Sequence, residues 1–395
     1  MSKNKNNIKI AYLSGPVNAV EVFDNRKVKQ KQPYFGTSYM SQFFDLIEDN
    51  NFSGFVVTSL VGQQSVTVRD NVKISNIPRD YLNSGISYHV YSALWLFRAL
   101  FQIVLERPKY LIATDAQNYW FLLFPARMIG IKIIGVYHCT LWSPYKKQNW
   151  HQAFLIRLNS VFLNWCVQSI ATASETISGQ IRSLKMDRKV AITEFLPTYD
   201  HSQFALIDPP RHHDGSTVNV LFAGRVESNK GIYDFCELAK VLIMRYPGRF
   251  NFHICGEGTE LQNVKAAAQN SCYENRLFVH GFCAQAKMIE IFSLSHIVVV
   301  PTRSDFEEGF AMICAEAILA GRPLVTSAAC PALTVLRSAT IEAHVDNVDS
   351  YIAAVEQLAN DQEIYEQKRG ACQNLQPQFY DKKNSWYAKI NQMIS

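Results

Sequence analysis

The chain has 395 residues, 48% of them hydrophobic and 18% charged. This composition excludes a disordered or fibrous polymer, and the length exceeds one ordinary core, so two domains of about 200 residues each are expected. The net charge of +5 hides an asymmetry: residues 1–199 sum to +10 and residues 200–395 to −5. The basic first half, with Arg26-Lys27-Val28-Lys29-Gln30-Lys31 and Lys146-Lys147, is the expected face for an anionic membrane surface or other anionic partner. Nucleic acid is not an expected partner, because no reading element or zinc module is present. The nine cysteines are scattered, with no Cys-x-x-Cys pair, which suits reduced thiols in the cytoplasm. The polar opening Met1–Asn7 shows no secretory pattern.

Strand and helix patterns alternate along residues 1–199. Strands are expected at Ile8–Ser14, Phe55–Leu60, Tyr110–Thr114, Lys132–Tyr137 and Ser169–Ala173, with an added strand over Val66–Ile74. Helices are expected at Thr37–Glu48, Leu94–Leu105, Tyr119–Ile129, Gln148–Cys166 and from Ser174. Residues 200–216, polar and bearing Pro209-Pro210, read as an interdomain linker. The alternation then restarts. Strands Val218–Ala223, Phe250–Cys255, Leu277–His280 and Ile297–Val300 alternate with helices Ile232–Tyr246, Glu260–Gln269 and Gln285–Ser293, and Leu324–Ser327 closes the second sheet. The second domain extends to about residue 375, and residues 376–395 supply a last helix expected to pack back on the first domain. Such alternation specifies α/β architecture with two doubly wound parallel sheets. Ligands of such sheets bind at the carboxyl ends of the strands.

The richest stretch is Glu308-Gly309-Phe310-Ala311-Met312-Ile313-Cys314-Ala315-Glu316. Phe310 to Ala320 reads as a helix stopped by Gly321. Its first N–H groups, at Phe310, Ala311 and Met312, form an anion site. A carboxylate, an anion site and a second carboxylate follow one another, about 12 Å apart end to end at 1.5 Å per residue. That order fits the sugar, diphosphate and ribose of a nucleotide sugar. Gly224-Arg225 through Lys230-Gly231 offers two cations beside a helix start. Gly256-Glu257-Gly258 lacks the third glycine of a dinucleotide loop. At Gly281-Phe282 the backbone can hold a base edge.

Taken in order, these strand-end motifs resemble those of the glycosyl transferases group 1 family, retaining enzymes of the GT-B fold in which two Rossmann-like domains face each other across a cleft. The resemblance covers residues 218–330 most strongly. It implies that Glu316 binds the ribose, Glu308 the sugar hydroxyls, and Arg225 and Lys230 the diphosphate. It also implies donor contacts at Gly224, Gly256, Phe282, Gly309, Phe310, Ala311 and Met312. In the first half, Gly36 and Thr37 match a glycine loop facing the diphosphate, and His138 matches a histidine that contacts the donor sugar. Phe310-Ala311 departs from the family's usual Phe-Gly, and Pro197-Thr198-Tyr199-Asp200 keeps only the Asp of its hinge.

The expected chemistry is hexosyl transfer from a nucleotide-diphosphate sugar to a glycan or lipid-linked acceptor. No metal or other cofactor is expected. The chain contains no Asp-x-Asp, and Arg225, Lys230 and a helix N-terminus can stabilise the leaving phosphate instead. The alternatives are a non-catalytic GT-B subunit, or an epimerase or phosphorylase of similar shape.

Overall fold

The central strands are runs of branched apolar residues. Ile297-Val298-Val299-Val300 is buried throughout, as a parallel strand covered on both faces must be. The structure, a computed structural model, describes residues 8–26, 35–79, 85–114, 117–184, 186, 188–209 and 217–395. In the first half the elements run β1 (Lys9–Leu13), α1 (Ala19–Arg26), α2 (Tyr39–Asp49), β2 (Ser53–Thr58), β3 (Ser65–Arg69), β4 (Val72–Asn76), α3 (Gly85–Glu106), β5 (Tyr110–Ala113), α4 (Phe124–Met128), β6 (Lys132–Tyr137), α5 (Trp150–Cys166), β7 (Val167–Thr172), α6 (Glu175–Ser183) and β8 (Ala191–Glu194). Among the described residues they form one sheet in the order β3-β4-β2-β1-β5-β6-β7-β8. Its pairings are parallel except β3 with β4.

A short helix α7 (His201–Phe204) leads to the second half. There β9 (Val218–Ala223), α8 (Ile232–Arg245), β10 (Phe250–Cys255), α9 (Leu261–Ala268), β11 (Leu277–Gly281), α10 (Gln285–Leu294), β12 (Ile297–Val300), α11 (Met312–Leu319), β13 (Leu324–Ser327), α12 (Leu333–Leu336) and β14 (Thr340–Ala343) follow. The sheet is parallel, in the order β11-β10-β9-β12-β13-β14. The strand order reverses beside β1 in the first sheet and beside β9 in the second. Those reversals open the crevices where α/β sheets take ligands.

Helices α13 (Val348–Asn360), α14 (Gln362–Leu375), α15 (Pro377–Tyr380) and α16 (Trp386–Ile394) complete the chain. Trp386, Ile390 and Ile394 of α16 are buried in the core of the first sheet, not the second. Tyr387 N–H donates to Gln42 Oε1 at 3.0 Å and its hydroxyl to Asp49 at 2.9 Å. The polypeptide therefore crosses between the two domains twice, once near Tyr199 and once near Lys382, whose ammonium reaches Asp200 at 2.6 Å.

Several boundaries differ from the sequence reading, each for a local reason. Val66–Ile74 is not one strand: Asp70, at φ 48°, turns the chain into a hairpin. Tyr119–Ile129 is a 3₁₀ turn kinked at Tyr119, then the short α4, because Pro125 suits only a helix's first turn. Leu324–Ser327 does not close the sheet, since β14 lies outside it. The linker is not wholly irregular: α7 sits within it, and Phe204 is buried. Residues 210–216 of that linker, and Lys27, Lys29 and Lys31 of the basic run, lie outside the described residues.

Candidate active site

The helix after β12 begins at Met312, not Phe310. Ala311 precedes it in the left-handed region, at φ 61° and ψ 88°. This backbone conformation explains the glycine common there in the resembling family: an L-residue with a Cβ pays about 1–2 kcal/mol to adopt it. The free N–H groups of the first turn are therefore those of Met312 and Ile313, since the Cys314 N–H already donates to the Ala311 carbonyl at 2.9 Å. Gly321, at φ 72°, stops the helix. The fully buried Arg322 donates to the carbonyls of Ser295 and Ala320 and, at 2.7 Å, of Asp208. The guanidinium thus holds the C-terminal end of α11 against the linker, and burial pushes its pKa down to about 10.

Upstream, the loop 301–311 places Glu308 in a buried position facing Lys230. Lys230 Nζ lies 2.5 Å from Glu308 Oε2, and Thr302 Oγ1 donates to the same oxygen at 3.4 Å. Gly309 passes directly over the first domain: a Cβ there would fall 1.6 Å from the carbonyl oxygen of His138. Only glycine permits this approach of the two backbones. Arg225 is half-exposed and paired with Glu227 at 2.8 Å. It shares the ring of Phe306 with Lys230, at 5.1 and 4.0 Å from the centroid respectively. One aromatic face therefore gathers both cations.

These groups surround a cavity of about 610 Å³ between the two sheets. Of the residues singled out from the sequence, His138, Gly224, Arg225, Lys230, Gly256, Phe282, Glu308, Gly309, Phe310, Ala311, Met312 and Glu316 line it. Gly36 lies beside it: a Cβ there would approach Tyr199 at 3.0 Å and the Met312 methyl at 3.5 Å. Thr37 does not line the cavity; its carbonyl accepts from Gln42 in the turn before α2.

Two ionisable groups have unusual surroundings. Burial raises the Glu316 carboxyl to a pKa of about 7, opposed by the Tyr199 hydroxyl, which reaches its Oε1 at 3.5 Å. Burial lowers His138 to about 4, so its ring is neutral at pH 7. The ring stacks on Tyr39 at 4.4 Å, and Nδ1 is buried without a hydrogen-bond partner among the described residues. His138 lines the cleft, and a neutral imidazole there can bind a hydroxyl.

A second cavity, also about 610 Å³, adjoins the first and shares Tyr39, His138 and Cys139 with it. Its other walls include Tyr12, Tyr88, Trp120, Ile156, Asn159 and Glu307. Adjacent carboxylates, Glu307 and Glu308, thus line different cavities. Sequence reasoning missed Tyr39, Tyr199, Phe306 and Glu307, because no motif surrounds them and only the folded chain brings them to the cleft.

Two Rossmann-like parallel sheets facing across a cleft define the GT-B class of glycosyltransferase folds. Residues 207–373, the greater part of the C-terminal domain, match the family model described as glycosyl transferases group 1. Among curated relatives, glycogen synthase of Mycobacterium tuberculosis is 24% identical over 229 residues, 56% of this chain and 52% of the relative. The match thus spans about half the relative's length. Among solved structures, sucrose-phosphate synthase from Thermosynechococcus elongatus is similar at TM-score 0.69 and 12% identity, over 98% of both chains. HepE of Anabaena, solved in complex with UDP, is similar at TM-score 0.66 and 14% identity, again over 98% of both chains.

Proposed function

We propose that this chain is a retaining glycosyltransferase that moves a hexose from a nucleotide-diphosphate sugar to a glycan or lipid-linked acceptor. Polysaccharide or glycolipid synthesis at the cytoplasmic face of a bacterial membrane is the proposed setting. The observation that carries the reading is the Lys230–Glu308 pair in the loop before α11, with Glu316 in the second turn of that helix and His138 opposite, all lining one cleft.

In this reading the donor lies along the loop and first turn of α11. The Glu316 carboxylate accepts from the ribose hydroxyls. The N–H groups of Met312 and Ile313, Lys230 and Arg225 bind the diphosphate. As the glycosidic bond lengthens, negative charge grows on the leaving phosphate oxygens, and these fixed donors stabilise it. Lys230 then exchanges part of its contact with Glu308 for phosphate, leaving Glu308 to accept from sugar hydroxyls. His138, kept neutral by burial, faces the sugar from the cleft wall. The acceptor enters through the aromatic cavity on the far side of His138 and Tyr39, where Glu307 is placed to meet its hydroxyl. Same-face attack needs no protein nucleophile, so Glu308 positions the sugar. Cations and a helix terminus take the charge that a metal carries in other folds, so the proposal includes no metal.

UDP is proposed ahead of GDP as the leaving nucleotide, in line with the UDP complex of the similar HepE structure. Thermal unfolding with UDP- and GDP-sugars tests the donor, since a ligand that binds only the folded state raises the melting temperature. Stabilisation by neither class, with no transfer to lipid or glycan acceptors, would overturn the reading.

A further inference from the structure

Helices α3, α4 and α5 lie side by side, with α4 packed against both neighbours. On α3, Ile86, Val90, Leu94, Phe97, Phe101 and Leu105 are all exposed. Their spacing of three or four residues puts them on one helix face. On α5 the exposed residues Trp150, Phe154, Val161 and Trp165 form a matching stripe, with exposed Arg157 filling the gap. Phe124 and Met128 of α4, and Ile129 after it, lie between. The exposures are high for such side chains: 82% at Ile86, 72% at Met128, 73% at Trp150 and 69% at Trp165.

These helices are apolar on both faces. The inner face of α3 puts Trp95, Leu96, Ala99 and Ile103 into the core, and that of α5 puts in Phe162 and Leu163. An outer helix of a soluble α/β domain turns charge to water. Here three neighbouring helices turn large apolar groups outward, and such a contiguous patch marks an interaction site. By length and composition α3 can cross a bilayer. Its inner face is committed to the core, so it lies on an interface and does not span.

The charge around the patch identifies the occupant. Arg98, Arg127 and Arg157 are exposed within or beside the three stripes. Residues 117–166 contain no Asp or Glu. The acid that ends α3, Glu106, is held by Lys9 and Lys73 at 2.8 and 2.6 Å. A two-fold contact with a second copy would set these arginines against each other. Anionic lipid headgroups complement them, and tryptophans such as Trp150 and Trp165 prefer the headgroup level. We propose that the outer face of α3, α4 and α5 is a docking surface for an anionic phospholipid bilayer.

The cavity lined by Tyr88 of α3 and by Ile156 and Asn159 of α5 then opens beside the bilayer. This deepens the lipid-linked reading of the acceptor above and, in that part, rests on it. Lipid binding is measured without any sugar, so the two can fail separately.

The test is flotation of the full chain with phosphatidylglycerol–phosphatidylcholine vesicles and with pure phosphatidylcholine vesicles, while tryptophan emission is recorded. Expected are partition onto the anionic vesicles at low salt, a blue shift from Trp150 and Trp165, and weakening as salt screens the charge. The triple variant Phe101→Ser, Met128→Ser and Phe154→Ser alters only exposed positions, and its circular dichroism and melting temperature should match the parent. It should lose at least tenfold in partition. Arg98→Glu with Arg157→Glu should lose binding at low salt. Three outcomes overturn the proposal. One is absence of binding to anionic vesicles in a chain that still binds nucleotide sugar, which leaves the donor reading intact. Another is binding unaffected by the triple variant but lost on reversing Lys27, Lys29 and Lys31. The third is a concentration-dependent dimer that the triple variant abolishes.

Discussion

The two sides of the cleft are built from opposite materials. The proposed donor side is a set of charged groups held in ion pairs, Lys230 on Glu308 and Arg225 on Glu227, with a helix start at the end of a loop that passes His138. The proposed acceptor side is aromatic and apolar, walled by Tyr12, Tyr39, Tyr88 and Trp120. A nucleotide diphosphate presents the same charges in every donor, and fixed donors serve it. Acceptors vary, and a wall of rings with few charges constrains their chemistry less. Loss of a donor-side group should therefore cost rate, whereas change on the acceptor side should shift which substrate is taken.

The largest effect is expected at Lys230. Lys230→Ala should lower kcat by about 10²-fold or more, as for a lost transition-state donor. Arg225→Ala, at a half-exposed group, should cost less in the same direct assay. Full activity in both variants would remove the leaving-group assignment. Next comes Gly309→Ala, whose methyl has no room against the His138 carbonyl. The domains must separate to admit it. A misplacement of about 1 Å costs about 10²-fold in rate, whereas nucleotide binding to the C-terminal domain alone should change little. Comparing kcat with nucleotide affinity separates the two.

Glu316 ties the cleft to pH. Its carboxyl ionises at about 7 when folded, against 4.5 ordinarily. Between those values the folded state holds a proton that the unfolded chain has lost. Its contribution therefore makes stability fall as pH rises from 4.5 to 7 and level off above. The melting temperature of Glu316→Gln minus that of the parent should grow across that window. If Glu316 holds the ribose as proposed, nucleotide-sugar affinity needs the ionised carboxylate and should rise through pH 7 in the parent and stay flat in the variant.

The smallest effect is expected at Ala311. Ala311→Gly should stabilise the chain by about 1 kcal/mol in denaturant unfolding by relieving the left-handed alanine, an amount within the range of such strain. Turnover should also persist in excess EDTA. A requirement for a divalent ion in the chemical step would count against charge stabilisation by Arg225, Lys230 and the helix alone.

The donor side was legible in the sequence because backbone requirements and paired charges are written locally. Gly309, Lys230 and the two glutamates stand in short motifs at strand ends. The alternation of Ile297–Val300 with helical segments also specified a parallel sheet before any fold was known. The exact start of α11 was not legible, since a left-handed alanine leaves no trace in helix propensity. Nor was the cluster on Phe306, which joins residues 225, 230 and 306 only through folding. The long apolar run Leu94–Leu105 marks a helix in the sequence without saying which of its faces is covered. In the structure one face meets the sheet and the other meets solvent.

Trp386 has a consequence for synthesis. This side chain and Ile390 are fully buried in the core that β1 begins. Domains generally fold in order as they leave the ribosome. Here the first domain cannot close until the whole second domain has emerged and α16 has returned to it. In the interval its early strands are held together with a gap where the last helix belongs. The nascent chain thus exposes an apolar groove for most of its translation, and a chaperone that binds such grooves would meet this protein at its N-terminal half.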